Sequence, residues 1–247
     1  MVLKGAEPFS LEGNNVGCVL IHGLSSSPAD VRPVGEFLNS KGYTVTAPLL
    51  PGHGTQIEDM FHYSWQDWYH QLEKTYESVA KKCSEVYLLG FSLGGLLVLQ
   101  GAARGLPVTG IVSMAAPIYM GNRWASLVPF AKGIKKYGKK EKSANAFSDS
   151  GRIVYDRWVL HSVHEMLKLK DNIRRELPNI DKPVLIVHSK DDTVALPASA
   201  GYIHGSLTGA PFKMLKWLSR SEHIITMGPE KEEMFEQVDF FINNTKR

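Results

Sequence analysis

A serine stands between glycines in the run Gly90–Gly94 (Gly-Phe-Ser-Leu-Gly), and its surroundings indicate chemistry. Residues 85–89 predict a short buried strand, and residues 93–103 predict a helix. On a sharp turn from strand to helix, flanking glycines avoid clashes, so the serine can take a strained backbone conformation. Its hydroxyl then projects above the sheet at a helix N-terminus, which favours developing negative charge. The pattern predicts Ser92 as a nucleophile.

A serine hydroxyl is a poor nucleophile at neutral pH, so it needs a general base, and that base needs an orienting carboxylate. Where a serine occupies such a turn, the chain order is serine, acid, histidine. Of the nine histidines, only His204 and His223 come late enough to follow an acid at a strand end. His204 falls inside a predicted helix, whereas His223 follows the last predicted strand, at the end of the sheet where ligands bind. We therefore predict His223 as the base.

The acid is expected directly after the predicted strand 184–188, in the run Lys-Asp-Asp-Thr at 190–193. Two adjacent aspartates cannot both face the histidine, and spacing alone leaves the choice between Asp191 and Asp192 open. Asp181 precedes the strand and therefore lies at the opposite end of the sheet.

Attack on a carbonyl carbon creates a tetrahedral oxyanion that needs two N–H donors. We expect one from Leu93, directly after the serine, and one from Leu24, in the loop after an early predicted strand. The serines at 25–27 either add a hydroxyl donor or only shape the loop, since serine is typical of turns and helix caps. His22 and His53 are expected to fix their loops by hydrogen bonds.

Taken together, the motifs resemble those of the small bacterial carboxylesterases and monoacylglycerol lipases of the α/β-hydrolase superfamily. The similarity covers residues 5–117 and 178–245 and is weak between them. Besides the late aspartate and histidine, the motifs are Gly5-Ala-Glu-Pro-Phe9, His22-Gly-Leu-Ser25, Pro51-Gly-His-Gly54 and Gly90-Phe-Ser-Leu-Gly-Gly95.

In that family a proline follows the acid five positions on, and Asp192 stands five residues before Pro197. The resemblance therefore implies Asp192 rather than Asp191. It also implies a serine carboxylesterase that hydrolyses short- to medium-chain carboxylic esters, small molecules, through an acyl-enzyme on Ser92, without cofactor or metal. A monoacylglycerol lipase is the alternative, followed by an acyltransferase or a non-catalytic binding protein on the same fold. The nearest match to the acid that contacts glycerol in such lipases is Asp156.

Strands and helices alternate along the chain in a βαβ rhythm, and the strands are apolar throughout, which is typical of a parallel sheet covered on both faces. The resemblance implies the α/β-hydrolase fold, with which this pattern agrees: a mostly parallel central sheet, helices on both faces and a small, mainly helical cap insertion. We expect two core parts, residues 1–116 and 178–247, separated by a cap segment at 117–177. Predicted strands span 16–21, 43–49, 85–89, 110–116, 183–188 and 212–218; predicted helices span 27–41, 64–82, 93–103, 198–207 and 230–242.

The cap segment shows no clear strand pattern. Its aromatic residues Tyr119, Trp124 and Trp158 either line a substrate pocket or form the core of the cap. Residues 131–142 carry six lysines against one glutamate. We interpret this run as a solvated helix face, with attraction to an anionic lipid surface as the alternative.

Composition limits the other possibilities. A net charge of +3 over 247 residues favours neither nucleic acid nor a membrane surface. No apolar run reaches the roughly 20 residues of a membrane span, and the N-terminus lacks the features of a signal peptide. The two cysteines, Cys18 and Cys83, do not suggest a disulfide framework. We therefore expect a cytoplasmic monomer or homodimer that neither inserts into membranes nor binds nucleic acid.

Overall fold

The structure, a computed structural model, describes residues 1–122, 128, 135–140 and 152–246. Its strands are β1 Phe9–Leu11, β2 Val16–Ile21, β3 Thr44–Ala47, β4 Glu85–Phe91, β5 Gly110–Met114, β6 Tyr137–Lys139, β7 Arg157–Val159, β8 Val184–Ser189 and β9 Lys213–Leu218. Its α-helices are α1 Arg32–Ser40, α2 Trp65–Ala80, α3 Leu93–Ala103, α4 Leu160–Glu176, α5 Ala198–Ser206 and α6 Lys231–Thr245.

Seven strands form one sheet in the order β1-β3-β2-β4-β5-β8-β9. Every neighbouring pair is parallel except β1 and β3. The predicted fold class is confirmed, and each predicted strand of the sheet lies within about two residues of its observed bounds. The sequence pattern does not indicate β1, because this three-residue strand at the sheet edge is only partly buried.

The sheet separates two apolar cores, and successive strand residues alternate between them. In β4, Leu88 packs on the side of α2, α3 and α4, whereas Tyr87 and Leu89 pack on the side of α1 and α6. Helix α3 is apolar around its whole circumference and is almost entirely buried, as a helix must be when it is covered on all sides. It starts at the residue after Ser92, so the core fixes the position of that serine.

The turn between β4 and α3 is possible only with glycine beside the serine. A Cβ on Gly90 would lie 2.1 Å from the carbonyl oxygen of Gly94, and a Cβ on Gly94 would lie 2.1 Å from that of Ile21. Ser92 itself has φ 55° and ψ −114°, which is a strained conformation for a residue with a side chain. The prediction that close-packed glycines permit this strain agrees with the geometry.

The helix expected at 27–41 is divided in two. A 3-10 turn spans Pro28–Asp30, and α1 begins only at Arg32. Pro33 has no N–H group to donate to the carbonyl of Ala29, so one continuous helix cannot run through this position, whereas proline is tolerated in the first turn of α1. Ser27 is the N-cap residue of the 3-10 turn, but its side chain makes no cap hydrogen bond, and its hydroxyl has no hydrogen-bond partner within the described residues.

The cap segment departs from the expected absence of strands. Strands β6 and β7 pair antiparallel to form a second, two-stranded sheet. The described part of the lysine-rich run therefore contains a strand, not the predicted helix face, and Lys140 at its end is buried. The pairing partner of β6 lies about 20 residues on in the chain, so composition around the lysines cannot indicate this strand. The remaining lysines at 132 and 142 lie outside the described residues.

Helix α4, the last helix of the cap segment, packs on helix α3 of the core. Asn172 of α4 donates a hydrogen bond of 2.8 Å to Gln100 of α3, and Gln100 in turn donates to Glu176. No described helix is long and apolar enough to span a membrane.

Substitution of Gly94 by alanine is expected to lower the free energy of unfolding by about 1–3 kcal/mol, because the new Cβ forces the turn away from the Ile21 carbonyl. The matched control is Gly201→Ala in α5, where an added Cβ has open space, and we expect it to stabilise by about 0.4–1 kcal/mol. Urea unfolding measures both. Equal stability of the two variants would contradict this account of the turn.

Candidate functional site

Ser92 lies at the carboxyl end of β4, near the middle of the sheet. Its N–H donates a 2.8 Å hydrogen bond to the carbonyl of Met114 in β5, and α3 begins at the next residue. The residue is 9% exposed, so the hydroxyl faces a nearly enclosed space at the N-terminus of a buried helix. A developing negative charge there is favoured by the helix dipole.

His223 contacts both the serine and an aspartate. Its Nε2 lies 3.1 Å from Ser92 Oγ, and its Nδ1 lies 2.8 Å from Asp192 Oδ2. The carboxylate only accepts, so Nδ1 carries a proton and Nε2 is left to accept from the serine hydroxyl. The three residues that the sequence singled out are thus brought together in one hydrogen-bonded chain, with the ring oriented for proton transfer from the hydroxyl.

Asp192 is the better placed of the two adjacent aspartates. It is 2% exposed, and its Oδ1 accepts the backbone N–H groups of Val194 and Ala195 at 2.8 Å each. Asp191 is exposed. Burial raises the pKa of Asp192, but the His223 imidazole and the backbone donors outweigh burial and hold that pKa below its usual range. The carboxylate is therefore ionised beside the imidazole at neutral pH.

A second histidine, His188 at the end of β8, braces the acid loop. Its Nε2 donates to the carbonyl of Ala195 at 2.8 Å and lies 3.7 Å from Asp192 Oδ2. Burial lowers the pKa of His188, so the ring is neutral and fixes the loop as a hydrogen-bond donor. The sequence analysis assigned it no role, although its position four residues before Asp192 was a usable signal.

Two backbone N–H groups border Ser92, one on the next residue and one on the wall of the cavity that Ser92 also lines. Leu93 is the first residue of α3, and Leu24 lines the small cavity beside Ser92. Within the described residues, neither N–H donates a backbone hydrogen bond. Buried N–H groups normally have partners, so these two groups are available to an acceptor, and their role at an oxyanion stays a prediction. Ser25 Oγ instead points to the sulfur of Met60, at 3.8 Å.

His22 and His53 stay neutral and shape the loop before Leu24. The Nδ1 of His22 donates to the carbonyl of Gly23 at 2.9 Å, and its Nε2 accepts the N–H of Leu50 at 3.1 Å. Burial lowers the pKa of His22 to about 4 and that of His53 to about 3. Both side chains are therefore structural, in agreement with the expectation.

The loop that carries His223 is fixed by Glu230, the residue just before α6. Its carboxylate accepts the N–H groups of Ser219 and Arg220 at 2.9 and 2.8 Å and the hydroxyl of Ser221 at 2.8 Å. Burial raises the pKa of Glu230, but these three donors outweigh burial and hold the pKa below its ordinary value. The sequence analysis treated Glu230 only as the first residue of a helix, because its partners are nine to eleven residues away.

The cavity beside Ser92 has a charged wall. Among the predicted substrate-binding residues, Trp158 lines it, whereas Tyr119 packs on Tyr202 and Arg174. Trp124 lies outside the described residues, and Asp156 points away with 78% of its side chain exposed. The remaining described lining residues are Gly23, Leu24, Ser26, Asp30, Phe91, Lys140, Arg152, His223 and Ile224.

The described residues contain no group of three or more His, Cys, Asp or Glu side chains suited to a metal ion. Cys18 and Cys83 are both buried and unpaired with each other. Burial raises the pKa of the Cys18 thiol, so the thiol stays protonated. Cys18 is therefore a small residue of the apolar core, as expected.

Substitution of Glu230 by glutamine is expected to lower the free energy of unfolding by about 1–3 kcal/mol at neutral pH, because an amide nitrogen then faces buried donors. A carboxyl whose pKa is depressed by folding stabilises above its unfolded value, near 4.5, and loses that contribution as the pH falls through the folded value. The gap in Tm between wild type and variant should therefore be largest at pH 6–8 and shrink toward pH 3.

The control for this series is Glu232→Gln on the same helix, since the Glu232 side chain is 74% exposed. It should show almost no Tm gap at any pH. A gap for Glu230→Gln that stays constant from pH 3 to pH 8 would contradict the assigned role of the carboxylate.

Known proteins resemble this chain over nearly its full length. A thermostable monoacylglycerol lipase of Bacillus sp. (strain H-257) is 29% identical, over 97% of this chain and 96% of that protein. A carboxylesterase of Bacillus subtilis (strain 168) is 28% identical, over 96% of each chain. The solved structure of a metagenome-derived lipolytic enzyme, described with LipS and LipT, is 26% identical with a TM-score of 0.91, covering 99% of this chain and 100% of that chain.

A family model extends the same result. Residues 18–227 match the model of the alpha/beta hydrolase family, and that range contains Ser92, Asp192 and His223. It also contains five of the seven strands of the main sheet in full, together with most of β2. Because the match covers well over half of this sequence, the chain belongs to the alpha/beta hydrolase family.

Proposed function

We propose that this protein is a serine carboxylesterase that hydrolyses short- to medium-chain carboxylic esters through an acyl-enzyme on Ser92. The observation that carries the proposal is the buried hydrogen-bonded chain from Ser92 Oγ through His223 to Asp192. A serine whose hydroxyl contacts an imidazole nitrogen, with an ionised carboxylate on the other nitrogen of that ring, is suited to nucleophilic acyl transfer. The carboxylesterase and lipase relatives support the ester as the substrate class.

Each group has a defined part in the proposed reaction. Ser92 Oγ attacks the ester carbonyl carbon while His223 Nε2 takes the hydroxyl proton, and Asp192 stabilises the imidazolium. The tetrahedral oxyanion accepts hydrogen bonds from the N–H groups of Leu24 and Leu93. His223 then gives its proton to the leaving alcohol, which breaks the ester C–O bond and leaves the acyl group on Ser92. Water, activated by His223, releases the acid.

A monoacylglycerol lipase is the second candidate, and the 29% identical relative from Bacillus sp. (strain H-257) favours it. The two candidates share the chemistry and differ in the alcohol of the ester. Trp158 lines the cavity at Ser92, so we propose that it contacts substrate in either case. Tyr119 and Trp124 remain predictions from the sequence, as does the division into core parts 1–116 and 178–247 and a cap segment.

We further propose that the enzyme acts in the cytoplasm, as a monomer or a homodimer, on small-molecule esters and not on nucleic acid. Two unpaired, buried cysteines are typical of a protein from a reducing compartment. The mild net charge of +3 is consistent with an uncharged or weakly charged partner.

Substitution of Asp192 by asparagine is expected to lower kcat roughly 10⁴-fold, because the imidazole loses its orienting carboxylate and takes the wrong tautomer. The matched control is the neighbouring Asp191→Asn, which should keep kcat within about twofold, since the Asp191 side chain is exposed. Ser92→Ala should abolish both ester turnover and labelling by a fluorophosphonate probe. The reverse ranking of the two aspartate variants would mean that the acid is wrongly assigned.

The substrate is tested by kcat/KM on p-nitrophenyl esters from acetyl to palmitoyl, measured beside 1-lauroylglycerol. We expect the highest value at a short- to medium-chain ester and weak turnover of the glycerol ester. A clear preference for 1-lauroylglycerol would favour the lipase instead. If neither is hydrolysed while Ser92 still reacts with the fluorophosphonate, the carboxylesterase proposal is wrong and an acyltransferase becomes the better reading.

A further inference from the structure

A buried ion pair joins the cap segment to the core beside the serine. Arg152 Nε lies 2.6 Å from Asp30 Oδ1, and Arg152 Nη2 lies 2.8 Å from Asp30 Oδ2. The two side chains are 3% and 0% exposed. This is the two-pronged arrangement in which a guanidinium fixes a carboxylate in both position and direction. The partners are 122 residues apart in sequence.

The pair lies at the loop that supplies one proposed oxyanion donor. Asp30 ends the 3-10 turn that follows this loop, residues 22–27, which contains Leu24. Asp30, Arg152 and Leu24 line the same small cavity as Ser92 and His223. A change in the position of Asp30 is therefore transmitted through a few residues of backbone to the Leu24 N–H.

A second contact holds the same loop from the same part of the cap segment. The N–H of Tyr155 donates to the carbonyl of Ser25 at 3.2 Å, and Lys140 Nζ donates to the carbonyl of Tyr155 at 3.1 Å. The Tyr155 hydroxyl accepts the N–H of Thr55 at 3.2 Å and lies 3.2 Å from the carbonyl of Gly52, to which it can donate. Tyr155 thereby ties the loop after Leu24 to the neighbouring loop at 51–56.

The loop needs such support because its backbone is strained. Ser25 has φ 58°, which is a left-handed conformation that a residue with a Cβ adopts at a cost of about 1–3 kcal/mol and keeps only when its surroundings fix it. The N–H of Leu24 and the carbonyl of Ser25 lie on either side of this strained unit. Hydrogen bonding to that carbonyl therefore helps to set the direction of the Leu24 N–H.

A contribution to folding stability does not by itself explain why an ion pair is buried here. The cost of removing two charges from water is often as large as their attraction, so apolar side chains of similar volume stabilise equally well. Precise positioning is what a two-pronged pair adds, because a displacement of about 1 Å at a catalytic group can cost about 10²-fold in rate.

We propose that Arg152 and Asp30 are positioning residues for the oxyanion site: residues 152–155 of the cap segment hold the loop at 22–27 so that the Leu24 N–H points at the developing oxyanion. The inference rests on the proposed ester hydrolysis and adds a dependence of kcat on the cap segment. It requires that loss of the Arg152–Asp30 ion pair lower kcat, which reports on the transition state, more than it weakens substrate binding.

The test compares Asp30→Asn, Arg152→Met and the double variant Asp30→Asn/Arg152→Met on a p-nitrophenyl ester. Arg152→Met leaves the buried Asp30 carboxylate without its guanidinium and should lower Tm, whereas the double variant, in which residue 30 is uncharged, should recover most of that loss. We expect kcat of the double variant to stay reduced about 10- to 100-fold with KM within about threefold. Arg152→Lys, which keeps the charge but not the two-pronged geometry, should fold and lie between wild type and the double variant in kcat.

A transition-state analogue separates positioning from packing. A boronic acid adds to the serine and places a negatively charged oxygen in the oxyanion site, so its inhibition constant should rise by about the same factor as kcat falls. The matched control is Asp156→Asn/Arg157→Met, which removes an exposed ion pair from the same cap segment and should change none of these quantities.

Three outcomes would overturn the inference: a double variant with unchanged kcat, a rise in KM alone, or an unchanged boronic acid constant beside a lowered kcat. Failure of the underlying proposal looks different. In that case wild type itself does not hydrolyse the ester, or Ser92→Ala hydrolyses it as fast as wild type does.

Discussion

The close approach of two backbone segments at the turn after β4 is the constraint on which the rest of the site depends. Gly94 packs against the carbonyl of Ile21, at the end of the neighbouring strand, with no space for a side chain. The turn can therefore be tight enough to strain Ser92, and the same contact brings the loop after β2 against the start of α3. Serine, helix N-terminus and the Leu24 loop are thus set relative to one another by one packing contact.

The parallel strands β8 and β9 place Asp192 and His223 at the same edge of the sheet as Ser92. Strands β8 and β9 follow β5 across the sheet in parallel, so the loops after them open at the same edge as the loop after β4. Each loop then has its own internal support: His188 and two backbone N–H groups fix the Asp192 loop, and Glu230 fixes the His223 loop. The hydrogen-bonded chain needs both supports, because a histidine between two partners tolerates little displacement of either.

The sequence predicts much of this site because the residues that form it stand in short-range sequence patterns. Apolar strands, glycines beside Ser92 and the five-residue step from Asp192 to a proline are short-range patterns, and they lead to the right strands and to residues that meet in space. Long-range pairs leave no such pattern. Arg152 lies in the predicted cap segment and Asp30 lies near the start of a predicted helix, and nothing in the sequence links the two. Glu230 resembles an ordinary acidic residue at a helix N-terminus. The prediction of a helix face at β6 is wrong for the same reason. Pairing with β7, about 20 residues on, is what makes this lysine-rich run extended.

The buried ionisable groups in the loops around Ser92 bear on the proton transfer that the proposed reaction requires. Burial keeps three histidines neutral, and hydrogen-bond donors keep two carboxylates ionised, so none of these five side chains changes its protonation state near neutral pH. Among the residues that the structure describes, the Ser92 hydroxyl has one hydrogen-bond acceptor, the Nε2 of His223, which in the proposed reaction takes the hydroxyl proton. In the proposed reaction, side chains of fixed protonation are as necessary as His223, because another group that changed its protonation state would compete for that proton. These side chains are His22, His53, His188, Asp192 and Glu230.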